Sequence, residues 1–367
     1  MVSIMKLFIP GPININENTK KSIQKDMISH RSEEFRELYK ECKIGLQEIF
    51  QTKNPVLIST SSGSGLMEGA IRNFVREKVL ICVIGAFGKK WASIAKACGK
   101  EVDILEITPG KAIQKEDLIK VVSGKEYDAI CITQNETSTG VANHLAELAS
   151  IVRESEALLL VDAVSSMAGA NIKVDEIGID VCITSSQKCF ALPPGLAFAS
   201  VSEKALEKAK NIEGRGYYFD FLELAKNWEN NETPYTPNIS LLFALQEKVR
   251  EIQKETIEKR FERHLSLAKR AQEWAVENGF ELFAEENYMS NTVTCIKNTK
   301  KVDMKKVKEK MMPKGYFIDA GYRKLNEKLI SEGKDSTFRI PHMGELTIEE
   351  LGEYLEELKQ TIMEVEK

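Results

Sequence analysis

The stretch from Ala157 to Cys189, ALLLVDAVSSMAGANIKVDEIGIDVCITSSQKC, holds two short apolar runs, each closed by small and polar residues. ALLLVDAV and VCITSS are nearly unbroken in apolarity, as expected of strands covered on both faces rather than on one. The same kind of run recurs at PVLIST from Pro55, KVLICVIG from Lys78 and YDAICIT from Tyr127, with amphipathic stretches between. That alternation predicts an α/β fold of βα units on a mainly parallel sheet covered by helices. Each run ends in a polar or glycine-containing turn: SSGSG, GAFG, QNETSTG, DAVSS and SQKCFALPPG. Ligands of open α/β sheets bind at the carboxyl ends of the strands, so these turns should converge on one crevice.

A different pattern follows the proline-containing TPYTPN. Leu242, Leu245, Val249 and Ile252 repeat at helical spacing, and a charged periodic stretch continues to Gly279, which predicts one long helix leading into a second domain. Beyond it, TVTCI and FRIPHM read as strands and a final helix begins near Thr347, giving a smaller α+β C-terminal domain. A chain of 367 residues exceeds what one hydrophobic core usually supports. The expected division is an arm at 1–15, a large domain at 16–253 and a small one at 254–367.

Composition narrows the function classes. With 43% apolar and 29% charged residues, and no apolar run near the ~20 residues that span a bilayer, no membrane segment is expected. The segment Met1 to Pro12 lacks the pattern of a secretory signal, which points to a cytoplasmic protein. A formal charge of −4 provides no basic field for nucleic acid. Seven scattered cysteines read as reduced core residues, and four distant histidines nominate no metal site.

Three features carry chemistry only in combination. The turn Ser62-Gly63-Ser64-Gly65 precedes an apolar-faced helix, whose free N–H groups and positive dipole end suit a phosphate. Its glycine spacing is neither GxGxxG nor a P-loop, and alone it is an ordinary helix start. Asp162 ends LLLVD, where a lone aspartate would be a cap. Lys188 follows VCITSS by a few residues, where a lone lysine would be a solvated charge. Together they supply the three handles that pyridoxal 5'-phosphate requires: a carboxylate for the ring nitrogen, an amine for the aldehyde and a dipole end for the phosphate.

The chain also resembles the class V aminotransferases of the type-I pyridoxal-phosphate fold, especially the alanine–glyoxylate and serine–pyruvate branch. The fragments carrying this resemblance run in order along nearly the whole sequence: PGP from Pro10, HRSEEF from His30, SSGSG, GAFGKKW, ETSTG, VDAVSS, SSQKC, ALPPG, TPYTP and FRIPHMG. The resemblance implies that Lys188 forms the Schiff base and serves as acid–base, and that Asp162 keeps the pyridine nitrogen protonated. Phe87 would stack on the ring and Val164 pack on its other face. Thr137 would bond the phenolic oxygen, while Ser64, Gly65, Leu66 and Gln187 hold the phosphate. Thr233 and Thr236 would reach that phosphate from the neighbouring subunit of a homodimer.

Arg339 would grip the substrate α-carboxylate, because a guanidinium fork matches a carboxylate bidentately. Leu66 departs from relatives with a polar residue there, and Pro341 stands where glycine is usual. The stretch from Gly321 to Lys334 is longer than the family norm, and its Arg323, Lys324 and Lys328 are candidates to read an acidic substrate side chain. The expected reaction moves the amino group of alanine, serine or aspartate to glyoxylate or pyruvate by a ping-pong route. Alternatives on the same fold are aspartate–2-oxoglutarate transamination, a lyase or a desulfurase. Cysteine desulfurases carry histidine where Gln187 precedes the lysine. A nucleotide-binding oxidoreductase would need the GxGxxG turn that this chain lacks.

Overall fold

The computed structural model describes residues 5–366. All five apolar runs are strands, at Val56–Ser59, Lys78–Val83, Ala129–Thr133, Leu158–Asp162 and Val181–Ser185, and they share one seven-stranded sheet. Two further strands complete it. Glu101–Glu106 pairs in parallel with Lys78–Val83 at one edge, and Ala197–Val201 runs antiparallel between Val181–Ser185 and Val56–Ser59. The remaining neighbours are parallel, so the sheet is mixed but mostly parallel. Its interior strands are buried on both faces, each face under a separate apolar cluster, which accounts for their unbroken hydrophobicity.

The long helix expected after TPYTPN is two helices, Ile239–Glu255 and Ile257–Glu277. The break is Thr256, whose backbone leaves the helical region at φ 69° while its side chain caps the second helix at Lys259 N. Leu242, Leu245, Val249 and Ile252 lie on the first helix against the sheet. Leu267, Ala271, Trp274 and Ala275 of the second join a third cluster with the C-terminal elements. The second helix stops at Gly279, at φ 77°.

That third cluster packs the helices Met304–Met311 and Ile348–Glu366 on an antiparallel sheet of Glu281–Leu282, Val293–Lys297 and Thr337–Pro341. The strand Lys6–Phe8 pairs with Tyr316–Ile318, and Phe8 stacks on Tyr354 at 3.6 Å between ring centroids. The arm is thereby tied to the C-terminal elements. The stretch from Gly321 to Lys334 contains a helix, Arg323–Ser331, which Asn326 pins to Thr337 through both backbone and hydroxyl. All seven cysteines are free, six of them buried. No helix among the described residues is long and apolar enough to cross a membrane.

Candidate active site

The parallel strands deliver their turns to one end of the sheet. Asp162 is the last residue of its strand, almost fully buried, and accepts a hydrogen bond from Val164 N at 2.9 Å. Burial pushes its carboxyl up to about 7, against the pull of the Val164 N–H; Glu136 adds to the rise and Lys90 and Lys188 oppose it. Among the described residues no cation stands within ion-pair distance of it. A buried carboxylate without a cationic partner fits a site where a protonated ring nitrogen would supply the missing charge.

Lys188 lies just past the neighbouring strand and is equally enclosed. Burial brings its ammonium down to about 8, and the Arg339 charge pushes the same way. Its Nζ donates to the carbonyl of Pro10, and the N-terminal turn closes over it so tightly that a Cβ on Gly11 would lie 2.7 Å from the lysine Cδ. Gly11 has φ 85°, so both its conformation and its lack of a side chain are required there. Pro10 and Gly11 carried no assigned role in the sequence, although the Pro-Gly-Pro spelling marks a turn.

Ser64, Gly65 and Leu66 form the first turn of the helix Gly63–Phe74, whose N-cap Ser62 makes no side-chain capping bond. Gly65 N already donates to Ser62 O at 2.9 Å, so the Gly63 and Ser64 N–H groups are the ones left to a ligand. The Leu66 side chain is buried in the apolar cluster, so only its backbone faces the turn. A Cβ on Gly63 would meet Val164 Cγ2 at 2.8 Å and Ser185 Oγ at 3.6 Å, which puts this turn directly against the ends of the two strands that carry Asp162 and lead to Lys188. Ser185 Oγ and Gln187 Oε1 are buried without a hydrogen-bond partner. Such unmatched acceptors and hydroxyls fit a polar group arriving from outside. Lys90, one turn into the helix Ala86–Ala97, donates to Ser64 Oγ at 3.1 Å and is a cation at this turn that sequence reasoning did not single out.

Phe87 is half-buried in the first turn of that helix, and its position is set from below. Glu136, fully buried, accepts from Phe87 N at 2.9 Å, Gly88 N at 3.2 Å and Ser138 Oγ at 2.6 Å. Burial raises its carboxyl, and these donors resist the rise. Next in the chain, Thr137 donates its hydroxyl to Ser165 Oγ at 2.9 Å and offers its carbonyl to Arg339 Nη1 at 2.9 Å. Arg339, buried in the strand Thr337–Pro341, is thus tied to the loop after Ala129–Thr133. Its guanidinium lies 5.7 Å from the Tyr322 ring centre, and that ring is 6.4 Å from Phe87.

Thr233 and Thr236 sit elsewhere, beside Ser59, Thr60 and Tyr218. Thr236 is exposed, whereas Thr233 is buried with its hydroxyl unpartnered and enclosed by its own chain. Arg323 and Lys328 lie on the outer surface of the helix Arg323–Ser331, opposite Glu327 and Glu332 at 3.8 Å each.

A mostly parallel sheet whose strand ends gather an enclosed lysine, an unpaired buried carboxylate and an open helix N-terminus defines a pyridoxal-phosphate-dependent transferase. Comparison with known proteins makes the family specific. The aminotransferase class-V model matches residues 15–350. The chain is similar to an uncharacterized aminotransferase of Methanocaldococcus jannaschii, with 35% identity over 98% of this chain and 96% of that one. It also resembles the serine–glyoxylate aminotransferase of Arabidopsis thaliana, with 31% identity over 92% and 85%. The crystal structure of an alanine–glyoxylate aminotransferase from a Nostoc species superposes with a TM-score of 0.92 and 26% identity, over 99% of this chain and 96% of that one. The chain belongs to the class-V aminotransferases and is a pyridoxal-phosphate-dependent transaminase.

Proposed function

We propose that the protein moves the amino group of a small α-amino acid (alanine, serine or aspartate) to glyoxylate or pyruvate in two half-reactions. The observation carrying this reading is the union of Lys188, Asp162 and Arg339 at one end of the sheet, with both Asp162 and Arg339 acting electrostatically on Lys188. When bound, pyridoxal phosphate supplies an electron sink for the electrons of a substrate Cα–H bond. Lys188 would hold the aldehyde carbon and, once displaced, move a proton at the substrate Cα. An ammonium lowered to about 8 leaves enough neutral amine near neutral pH for both tasks. Asp162 would face the ring nitrogen, Phe87 and Val164 the two ring faces, and Thr137 the phenolic oxygen. Ser64, Gly65, Leu66 and Gln187 would hold the phosphate, and Arg339 the substrate carboxylate.

The proposal extends to a cytoplasmic homodimer in which Thr233 and Thr236 serve the neighbouring site; the exposed Thr236 is the better placed of the two. It places the division between large and small domains at 253/254, beside the Thr256 break. A half-reaction screen tests the chemistry: single amino acids are added to the purified yellow protein and the cofactor absorption is followed. Alanine or serine should bleach it, and Lys188→Ala should not respond. If no small amino acid changes the spectrum, or the variant turns over normally, the reading fails.

A further inference from the structure

Arg339 is already engaged by the protein. Asp319, which follows the strand Tyr316–Ile318 and bridges to Arg339 across the backbone, accepts from its Nε at 2.9 Å and its Nη2 at 2.8 Å. Both side chains are nearly enclosed, with 7% and 13% of their surface exposed for arginine and aspartate. The carboxylate is anchored independently by Gly321 N at 2.8 Å, in a turn where a side chain on Gly321 would collide with Thr337 O. Cross-strand pairing and that anchor make the contact part of the built site.

A guanidinium has five N–H donors. Asp319 takes two and the Thr137 carbonyl a third, which leaves one on each terminal nitrogen, enough for a single carboxylate. Charge follows the same count. Arg339 and Asp319 sum to zero, so one substrate carboxylate makes this part of the pocket negative and a second makes it more so in a poorly solvated space. The cations of the neighbouring helix and of the Ser64 turn are exposed or committed elsewhere. Arg323 and Lys328 lie on the exposed face of their helix opposite glutamates, Lys324 is exposed, and Lys90 belongs to the Ser64 turn.

Resting on the reading of Arg339 as the carboxylate grip, we propose that Asp319 is a specificity-determining residue that restricts the enzyme to monocarboxylic amino acids and oxo acids. Alanine and serine fit, as do glyoxylate and pyruvate. Aspartate and dicarboxylic oxo acids are disfavoured.

The experiment compares wild type, Asp319→Asn and Arg339→Lys. In half-reactions, wild type should favour alanine over aspartate in kcat/KM by at least about tenfold. Asp319→Asn, which keeps size and an acceptor for Gly321 N, should shift that ratio toward aspartate at least about tenfold, mainly through KM. Calorimetric binding of propanoate and succinate gives a readout without turnover, and Asp319→Asn should tighten succinate more than propanoate. Wild type that uses aspartate as well as alanine overturns the proposal without any variant. If Arg339→Lys weakens both anions while Asp319→Asn leaves their ratio unchanged, the role of Asp319 alone is overturned. If Arg339→Lys leaves propanoate binding intact, the carboxylate grip itself is lost, and this inference with it.

Discussion

At the residue scale, the site depends on side chains that touch its working groups from behind. Glu136 is the clearest case, because its carboxylate receives N–H groups from Phe87, Gly88 and Ser138 and fixes the start of the helix bearing Phe87. Glu136→Gln would replace an acceptor oxygen with an NH2 that faces donors. A buried donor left without an acceptor costs about 1–3 kcal/mol, so urea denaturation should show a loss in that range. Cofactor affinity should fall with it, read by titrating cofactor into the apo protein. Unchanged stability would mean that the helix start is held by other contacts. Asp162 and Lys188 were legible because strand ends can be read from apolar runs, and the residues just past a strand end face the crevice. Glu136, Asp319 and Pro10 were not, because their roles come from partners 49, 20 and 178 positions away in the chain. Local pattern carries no such information.

Between elements, a buried ionic network joins the helix Ile257–Glu277 to the back of the site. Arg260 donates to Ala168 O at 3.1 Å, Cys189 O at 2.7 Å, Glu255 at 2.8 Å and Glu345 at 3.0 Å, and fully buried Lys248 also reaches Glu345 at 3.0 Å. Cys189 adjoins Lys188, so this helix steadies the lysine backbone. Arg260→Met should cost about 3–5 kcal/mol, since it strands buried partners, and Arg260→Lys should restore part of that; thermal and urea unfolding measure both. His342 supplies a pH signature in the small sheet. Burial lowers its imidazole to about 4, while its nitrogens bond Thr294 Oγ1 and Asn291 O. The folded state therefore takes its proton later than the unfolded state, whose pKa is near 6.5. The associated stability, roughly 3 kcal/mol, is present above that value and is lost as pH falls from 6.5 to 4. His342→Gln should flatten the stability profile in that window, and an unchanged slope would assign acid sensitivity to other groups. Element boundaries were the less legible part. Glu101–Glu106 is a partly exposed edge strand without a continuous apolar run, Ala197–Val201 follows Pro-Pro-Gly and has its apolar residues interrupted by Ser200, and the break at Thr256 lacks glycine or proline.

For the molecule as a whole, the position of Thr236 bears on whether one chain completes its own site. Thr236 is exposed and lies beside Thr60 and Tyr218 rather than against Lys188, so its proposed contact with phosphate requires a second copy. The surface around it is aromatic: Tyr217 is 82% exposed, and Tyr218 stacks on Tyr235 with ring centres 5.0 Å apart. Complementation between two inactive chains decides the matter. Thr236→Glu would set a carboxylate against the phosphate it is proposed to hold, and as an exposed change it should leave the fold intact. Lys188→Ala removes the acid–base from its own chain only. In a mixed dimer with shared sites, one site would combine the intact lysine of the first variant with the intact threonine of the second, while the other would carry both defects. Coexpression of the two variants should therefore restore activity approaching half that of wild type per mixed dimer, although each variant alone is nearly inactive. Sites confined to single chains would give no recovery at any mixing ratio, and sedimentation of the wild type as a monomer would rule out a shared site without any mutation.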